Sequence, residues 1–225
     1  MRINKYLASC GIGSRRKCEE YILNGLVTIN DKVIKDLSTT INPKDIVKFE
    51  SKVIKPDNKL VYILLNKPKG VVTTCNDERG RTTVLDLINP TAIDNARIFP
   101  VGRLDYNTEG LLILTNDGEF ARKMTHPSSQ VEKVYVVTVD RKVKEDDIKM
   151  LENGVMIDGE ITHPAKAKVT KPNIVELTIT QGRNRQVRKM FESLGYRVTH
   201  LKRTKVGKWT LGTLKVGDWI FIRPQ

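Results

Sequence analysis

One carboxylate has a setting suited to chemistry. Asp105 lies in the polar stretch Gly102 to Leu112, G-R-L-D-Y-N-T-E-G-L-L, with Arg103 two residues before it and Glu109 four after. The apolar run Ile98-Phe99-Pro100-Val101 leads in, and Leu111-Leu112-Ile113-Leu114 leads out. Two buried strands around a polar turn put that turn at a sheet edge or cleft, on a stiff scaffold. An aspartate there can cap its own turn, or it can act as a nucleophile or base. A second stretch, Gly182 to Met190, G-R-N-R-Q-V-R-K-M, is the most basic in the chain. Val187, Met190, Phe191 and Leu194 fall at i, i+3, i+4 and i+7, so this is an amphipathic helix, stopped by Gly195. Arg185, Arg188 and Lys189 are spaced to share a neighbouring face.

Other chemistries lack their patterns. There is no P-loop and no G-x-G-x-x-G after a strand, so nucleotide cofactors are unsupported. A G-x-S-x-G and an H-x-E with C-x-x-C are absent as well, which disfavours an esterase and a zinc deaminase. Cys10, Cys18 and Cys75 are odd in number and form no C-x-x-C, and His126, His163 and His200 are scattered, so neither disulfides nor a metal site is expected. The net charge of +13 points to a polyanionic partner. No apolar run approaches the roughly 20 residues of a membrane span, and no secretory signal core follows Met1. Nucleic acid is the expected partner, without a membrane, and the cytoplasm the expected address.

The positioning elements divide the chain at the polar stretch around Pro56 into residues 1–55, a linker 56–59, and residues 60–225. In the first part, a short helix around Ile3 and Leu7 ends at Gly11 and Gly13. Ser14 caps a second helix with Cys18, Tyr21 and Ile22 on one face and Arg15, Arg16 and Lys17 on the other. Strands follow at Val27–Ile29, after the turn Asn30-Asp31, and at Ile46–Phe49. A basic helix face can bind RNA or can simply be solvated. In the second part, strands are expected at Leu60–Leu65, Val71-Val72, Val134–Val139, Ile174–Thr180, Val198–Leu201, Trp209–Leu211 and Trp219–Ile222. Short strands at Val155–Ile157 and Ala165–Val169 flank an Asp158-Gly159 turn, and helices fit Phe120–Met124 and Val143–Leu151. Val84–Ile88 fits a helix or a strand. Short strands with a few helices make the fold class α+β, with a catalytic domain on a mixed, mostly antiparallel β-sheet and flanking helices.

Two resemblances sharpen this reading. Arg2 to Ile22 and Gly25 to Ile34 resemble the S4-like RNA-binding domain. That resemblance implies RNA docked on a face including Arg2, Lys5, Arg15, Arg16 and Lys17. The stretch Gly102 to Gly118, G-R-L-D-Y-N-T-E-G-L-L-I-L-T-N-D-G, resembles the catalytic motif of the rRNA pseudouridine synthases of the RsuA family. L-L-N-K-P-K-G (Leu64 to Gly70), E-K-V-Y-V-V (Glu132 to Val137), Leu177 to Phe191 and L-K-R-T-K-V-G (Leu201 to Gly207) match its other motifs in order. Gly70 to Val84 is most similar to the branch acting on 23S rRNA.

The resemblance implies isomerisation of a flipped uridine to pseudouridine in ribosomal RNA, without metal or organic cofactor, by a monomer. Asp105 would be the essential carboxylate. Tyr135 would stack on the uracil, or be a core aromatic. Arg188 would pair with Asp105 and keep it ionised, or bind phosphate. Leu201 would close the pocket, or be plain core. Arg103 would fill the gap left by the base, or bind phosphate, and Arg185 and Lys189 would hold the substrate. Glu109 and Asp117 read as structural. The competing reading is a non-catalytic RNA-binding ribosome-assembly factor.

Overall fold

A computed structural model describes residues 1–56, 59–94 and 96–224. Asp57 and Asn58 of the expected linker lie outside the described residues.

The N-terminal module packs two helices on a small sheet. Helix α1 spans Ile3–Ser9 and α2 spans Arg15–Leu23. Ser14 caps α2 by accepting the Lys17 amide at 3.2 Å, which satisfies one of the unpaired donors of the first turn. Strands β1 (Val27–Ile29), β2 (Lys32–Val33), β3 (Val47–Phe49) and β4 (Lys52–Val53) run in the order β2-β1-β3-β4. Asn30-Asp31 and Glu50-Ser51 make the two hairpin turns at positive φ, the conformation that matches strand twist. Ile3, Leu7, Cys18, Ile22, Val27 and Val47 form the buried core. Lys5 forms an ion pair with Glu119, which ties the module to the larger domain.

The larger domain is introduced in chain order. β5 is Tyr62–Lys67, β6 is Phe99–Val101 and β7 is Glu109–Thr115. Helix α3 (Gly118–Thr125) precedes β8 (Lys133–Val139) and α4 (Glu145–Asn153). β9 (Met156–Ile157) and β10 (Glu160–Ile161) pair only with each other. Then come β11 (Lys166–Lys171), β12 (Ile174–Ile179), helix α5 (Gln186–Ser193), β13 (Val198–Val206), β14 (Trp209–Thr210) and β15 (Trp219–Phe221).

Nine of these strands make one mixed sheet along the path β11-β12-β8-β13-β7-β5-β15, with β14 on β13 and β6 on β7. The neighbours are antiparallel except at the seam between β13 and β7, where Lys202 faces Glu109 and Arg203 faces Gly110 in parallel register. Side chains alternate across the sheet; one face is covered along its length, and the other is covered around β5 to β7 and open toward β8, β12 and β11. Ile63, Leu65, Leu112, Leu114, Val137, Leu177 and Leu201 pack on one face with Val187, Met190 and Phe191 of α5. Leu64, Val101, Leu111, Ile113 and Val206 pack on the other.

Several local expectations change. Asp158-Gly159 turns β9 into β10, whereas Lys166–Val169 belongs to β11 and pairs with β12, and Ala165 lies just before that strand. Val84–Ile88 is neither helix nor regular strand, although Val84 and Ile88 fill the core. Val71-Val72 contributes only one isolated bridge, Val72 to Thr83. β13 runs nine residues, well past Leu201, because β8, β7 and β14 all offer it backbone partners. No helix among the described residues is long and apolar enough to cross a membrane.

Candidate active site

The loop between β6 and β7 carries Asp105. β6 pairs antiparallel with β7, Phe99 opposite Thr115 and Val101 opposite Ile113, so the two apolar runs do bracket a hairpin-like bend. Gly110, one residue into β7, sits at φ +110° against β13. A Cβ there would lie 2.2 Å from the Arg203 carbonyl oxygen. Only glycine lets the seam close at this point.

The loop is held by its carbonyls. Arg203 Nη1 donates to Arg103 O at 3.4 Å, and Thr73 Oγ1 donates to Leu104 O at 2.8 Å. Lys67 Nζ donates to Asp105 O at 3.2 Å and to Thr108 O at 2.9 Å. The Gly70 amide donates to Tyr106 O at 2.9 Å, and Arg188 Nη2 donates to Asn107 O at 2.9 Å. Every carbonyl from Arg103 to Thr108 therefore has a donor from outside the loop. Leu104 plugs the loop into the core.

Three of the donors are buried cations: Lys67, Arg188 and Arg203. Lys67 completes its three donor bonds on Pro68 O at 2.9 Å. Burial pushes its pKa down to about 8, against the opposing pull of Asp105. Arg188 also donates to Val198 O at 3.2 Å. Burial pushes its guanidinium pKa down, Arg185 adds to that, and Asp105 works against it. Arg203 Nε donates to Leu111 O at 2.8 Å. These charges are satisfied by carbonyl oxygens of the chain rather than by carboxylates.

That carboxylate has no hydrogen bond or ion pair among the described residues. It borders a small cleft with Leu104, Tyr135, Ile179 and Leu201 as apolar surfaces and Arg103, Arg183 and Arg185 around it. Tyr135 and Leu201 are buried, on adjacent strands of the same sheet face. An aromatic ring and aliphatic side chains beside one unpaired carboxylate, with guanidinium groups around them, suit a nucleobase carried on a phosphate backbone. A larger open groove, lined by Val134, Val136, Lys202 and Thr204, lies on the opposite sheet face by strand alternation.

The structure brings Asp105, Tyr135, Leu201, Arg103 and Arg185 together at the cleft. Arg188 reaches the same loop, but its hydrogen bonds go to Asn107 and Val198, and no ion pair with Asp105 is formed. The expected shared basic face of α5 is split. Arg188 turns inward, Arg185 is exposed at the N-cap with φ +52°, and Lys189 is partly covered by an ion pair with Asp158 at 2.5 Å. In the module, Arg2, Arg15 and Arg16 are exposed. Lys17 pairs with Glu20 at 2.6 Å, and Lys5 is engaged by Glu119. Asp117 caps α3 by accepting the Glu119 and Phe120 amides at 2.9 and 3.0 Å. His200 Nε2 lies 3.0 Å from Glu109 Oε1.

Lys67, Arg203 and Thr73 were not legible as site residues. The clue for two of them was the period of two. Lys67 continues the inward row Ile63, Leu65, and Arg203 follows Leu201 on the same face. A cation in such a row is buried and must find acceptors.

Comparison with known proteins fits this geometry. Residues 61–193 match the model of the RNA pseudouridylate synthase family, and residues 1–47 match the S4 domain. The chain is 40% identical over 223 residues to ribosomal large subunit pseudouridine synthase B of Bacillus subtilis (strain 168), covering 96% of this chain and 90% of that one. It is 38% identical over 221 residues to the dual-specificity RNA pseudouridine synthase RluF of Escherichia coli (strain K12), covering 97% and 74%. A crystal structure of a pseudouridylate synthase superposes with a TM-score of 0.73 at 31% identity, covering 99% of this chain and 96% of that one. With its carboxylate loop, its sheet and its N-terminal module all accounted for, the chain belongs to the RNA pseudouridylate synthase family and carries an S4 domain.

Proposed function

We propose that the protein converts uridine to pseudouridine in ribosomal RNA, and in large-subunit RNA in particular. The observation that carries this reading is the pinned loop. Its carbonyls are all occupied, so the Asp105 side chain is the reactive group left facing the cleft. The Bacillus relative is a ribosomal large subunit pseudouridine synthase by name, which supports the large subunit as substrate.

The target base leaves its stack, at a cost of a few kcal/mol, and enters the apolar slot. Tyr135 stacks on it and Leu201 closes the opposite side. Asp105 acts as the nucleophile, at the sugar or at the base. The bond from C1′ of the ribose to N1 of uracil breaks, the base turns, and a bond from C1′ to C5 forms. C5 loses its proton and N1 gains one, so product and substrate are isomers and no oxidant or reductant is consumed. Arg188 and Lys67 hold the loop, and with it the direction of the carboxylate. Arg103 fills the space the base vacates, and Arg185 meets a backbone phosphate. Lys189 becomes a phosphate contact once RNA is bound.

The module supplies the second hold on the RNA through Arg2, Arg15, Arg16 and Lys17, by phosphate contacts that position without reading sequence. Lys5 serves here as the tether to α3. The protein works as a cytoplasmic monomer.

The test is Asp105→Asn. The variant binds unmodified large-subunit rRNA with the wild-type Kd and forms no pseudouridine. If the wild type leaves every uridine unchanged, or the variant still converts, the reading fails.

A further inference from the structure

Around the cleft, the cations fall into two groups with different partners. Lys67, Arg188 and Arg203 are buried on backbone carbonyls and cannot leave without dismantling the loop. Arg183 and Lys189 are held by carboxylates, and both carboxylates come from the β9–β10 hairpin. Arg183 pairs with Glu160, and Lys189 Nζ lies 2.5 Å from Asp158 Oδ2. The hairpin stands outside the main sheet. Its base is fixed, because Ile157 and Thr162 are buried and the Val155 amide donates to Thr162 Oγ1 at 3.0 Å. Its tip, Asp158-Gly159, turns through two left-handed residues.

The accessibilities within these pairs are lopsided. The Arg183 and Lys189 side chains are 26% and 28% exposed, whereas those of Glu160 and Asp158 are 72% and 58% exposed. The carboxylates are the outer, hydrated members, and they can swing into water at little cost. Arg183, once left, would face the approach to Asp105, since it borders that cleft, and Lys189 lies one helical turn beyond Arg185, which borders it too. A backbone phosphate can replace a carboxylate on arginine with the same paired geometry.

We propose that the β9–β10 hairpin is an acidic latch on the RNA-binding face. Asp158 and Glu160 occupy Lys189 and Arg183 in the free protein, and two phosphates of the RNA strand that carries the target uridine displace them. The hairpin base stays in place, and only two side chains change partners. The latch lowers affinity for arbitrary polyanions, which a chain of net charge +13 attracts strongly. An RNA that also seats its uridine at Asp105 recovers the exchange. This inference rests on the reading that RNA enters the Asp105 cleft.

The experiment compares the full-length protein with its Asp158→Asn/Glu160→Gln double variant, using in vitro transcribed, unmodified large-subunit rRNA as probe. Equilibrium binding is measured across a KCl series, alongside turnover at saturating RNA and thermal melting. The variant is expected to bind about threefold or more tightly. Its slope of log K against log salt steepens by up to about 0.7 for each freed cation on a single strand. Its kcat and melting temperature stay at wild-type values. An unchanged Kd and slope, or weaker binding, would overturn the latch. Wild-type turnover in the same assay tests the isomerase reading separately, so loss of one does not mimic loss of the other.

Discussion

Arg188 and Asn107 are joined by a 2.9 Å hydrogen bond from guanidinium Nη2 to a main-chain carbonyl, two residues past Asp105. The same guanidinium reaches Val198 at the start of β13. One buried side chain therefore fixes the Asp105 loop to the sheet that carries Leu201. A planar fork can bridge two carbonyls in fixed directions, which a point charge cannot do.

Arg188→Lys keeps the charge and loses the fork. Loop placement loosens, and turnover at saturating rRNA is expected to fall about 100-fold with little change in RNA affinity, since misplacement of about 1 Å is enough for such a loss. Single-turnover kinetics read this directly. Wild-type kcat in the variant would show that charge alone suffices.

Lys67 makes the loop sensitive to alkali. Its pKa is pushed down to about 8 by burial, and deprotonation removes one of the three donors that hold Pro68, Asp105 and Thr108. The kcat profile should show an alkaline decline with an apparent pKa of about 8. Stability moves the other way. Between about 8 and the ordinary value of 10.5 the unfolded chain binds a proton the folded chain has lost, so this group's contribution to unfolding free energy rises with pH in that window. A pH–rate profile and urea melts at matched pH separate the two effects, and parallel trends would contradict the assignment.

Gly110→Ala places a methyl group against the Arg203 carbonyl at the parallel seam. The left-handed backbone and the backbone clash act together, and a destabilisation of about 3 kcal/mol is expected. Urea denaturation checks it. A midpoint within error of wild type would mean that the seam opens freely.

Removal of residues 1–55 takes away the exposed Arg2, Arg15 and Arg16 and the Lys5–Glu119 pair. That ion pair is exposed and screened by water, so it contributes little and the larger domain should survive. KM for rRNA is expected to rise at least about tenfold while kcat holds, because phosphate contacts mainly position the RNA. Loss of kcat at saturating RNA would give the module a part in shaping the cleft.

Local sequence was enough to specify the elements and the setting of Asp105. Ser14 marks the start of α2, Val187, Met190 and Phe191 mark the buried face of α5, and the two apolar runs around Asp105 form the β6–β7 hairpin. Those features depend on periods of 3.6 and two and on local capping, which neighbouring residues specify. Tertiary structure decided what the cations do. Arg185, Arg188 and Lys189 look equivalent by helical spacing, yet one lines the cleft, one grips Asn107 and one is held by Asp158. Lys67 and Arg203 reach the Asp105 loop across 38 and 100 residues of chain. A buried charge takes whichever acceptors the folded chain brings within 3 Å or so, and that choice is made by how β13 meets β7 rather than by anything local to the residue.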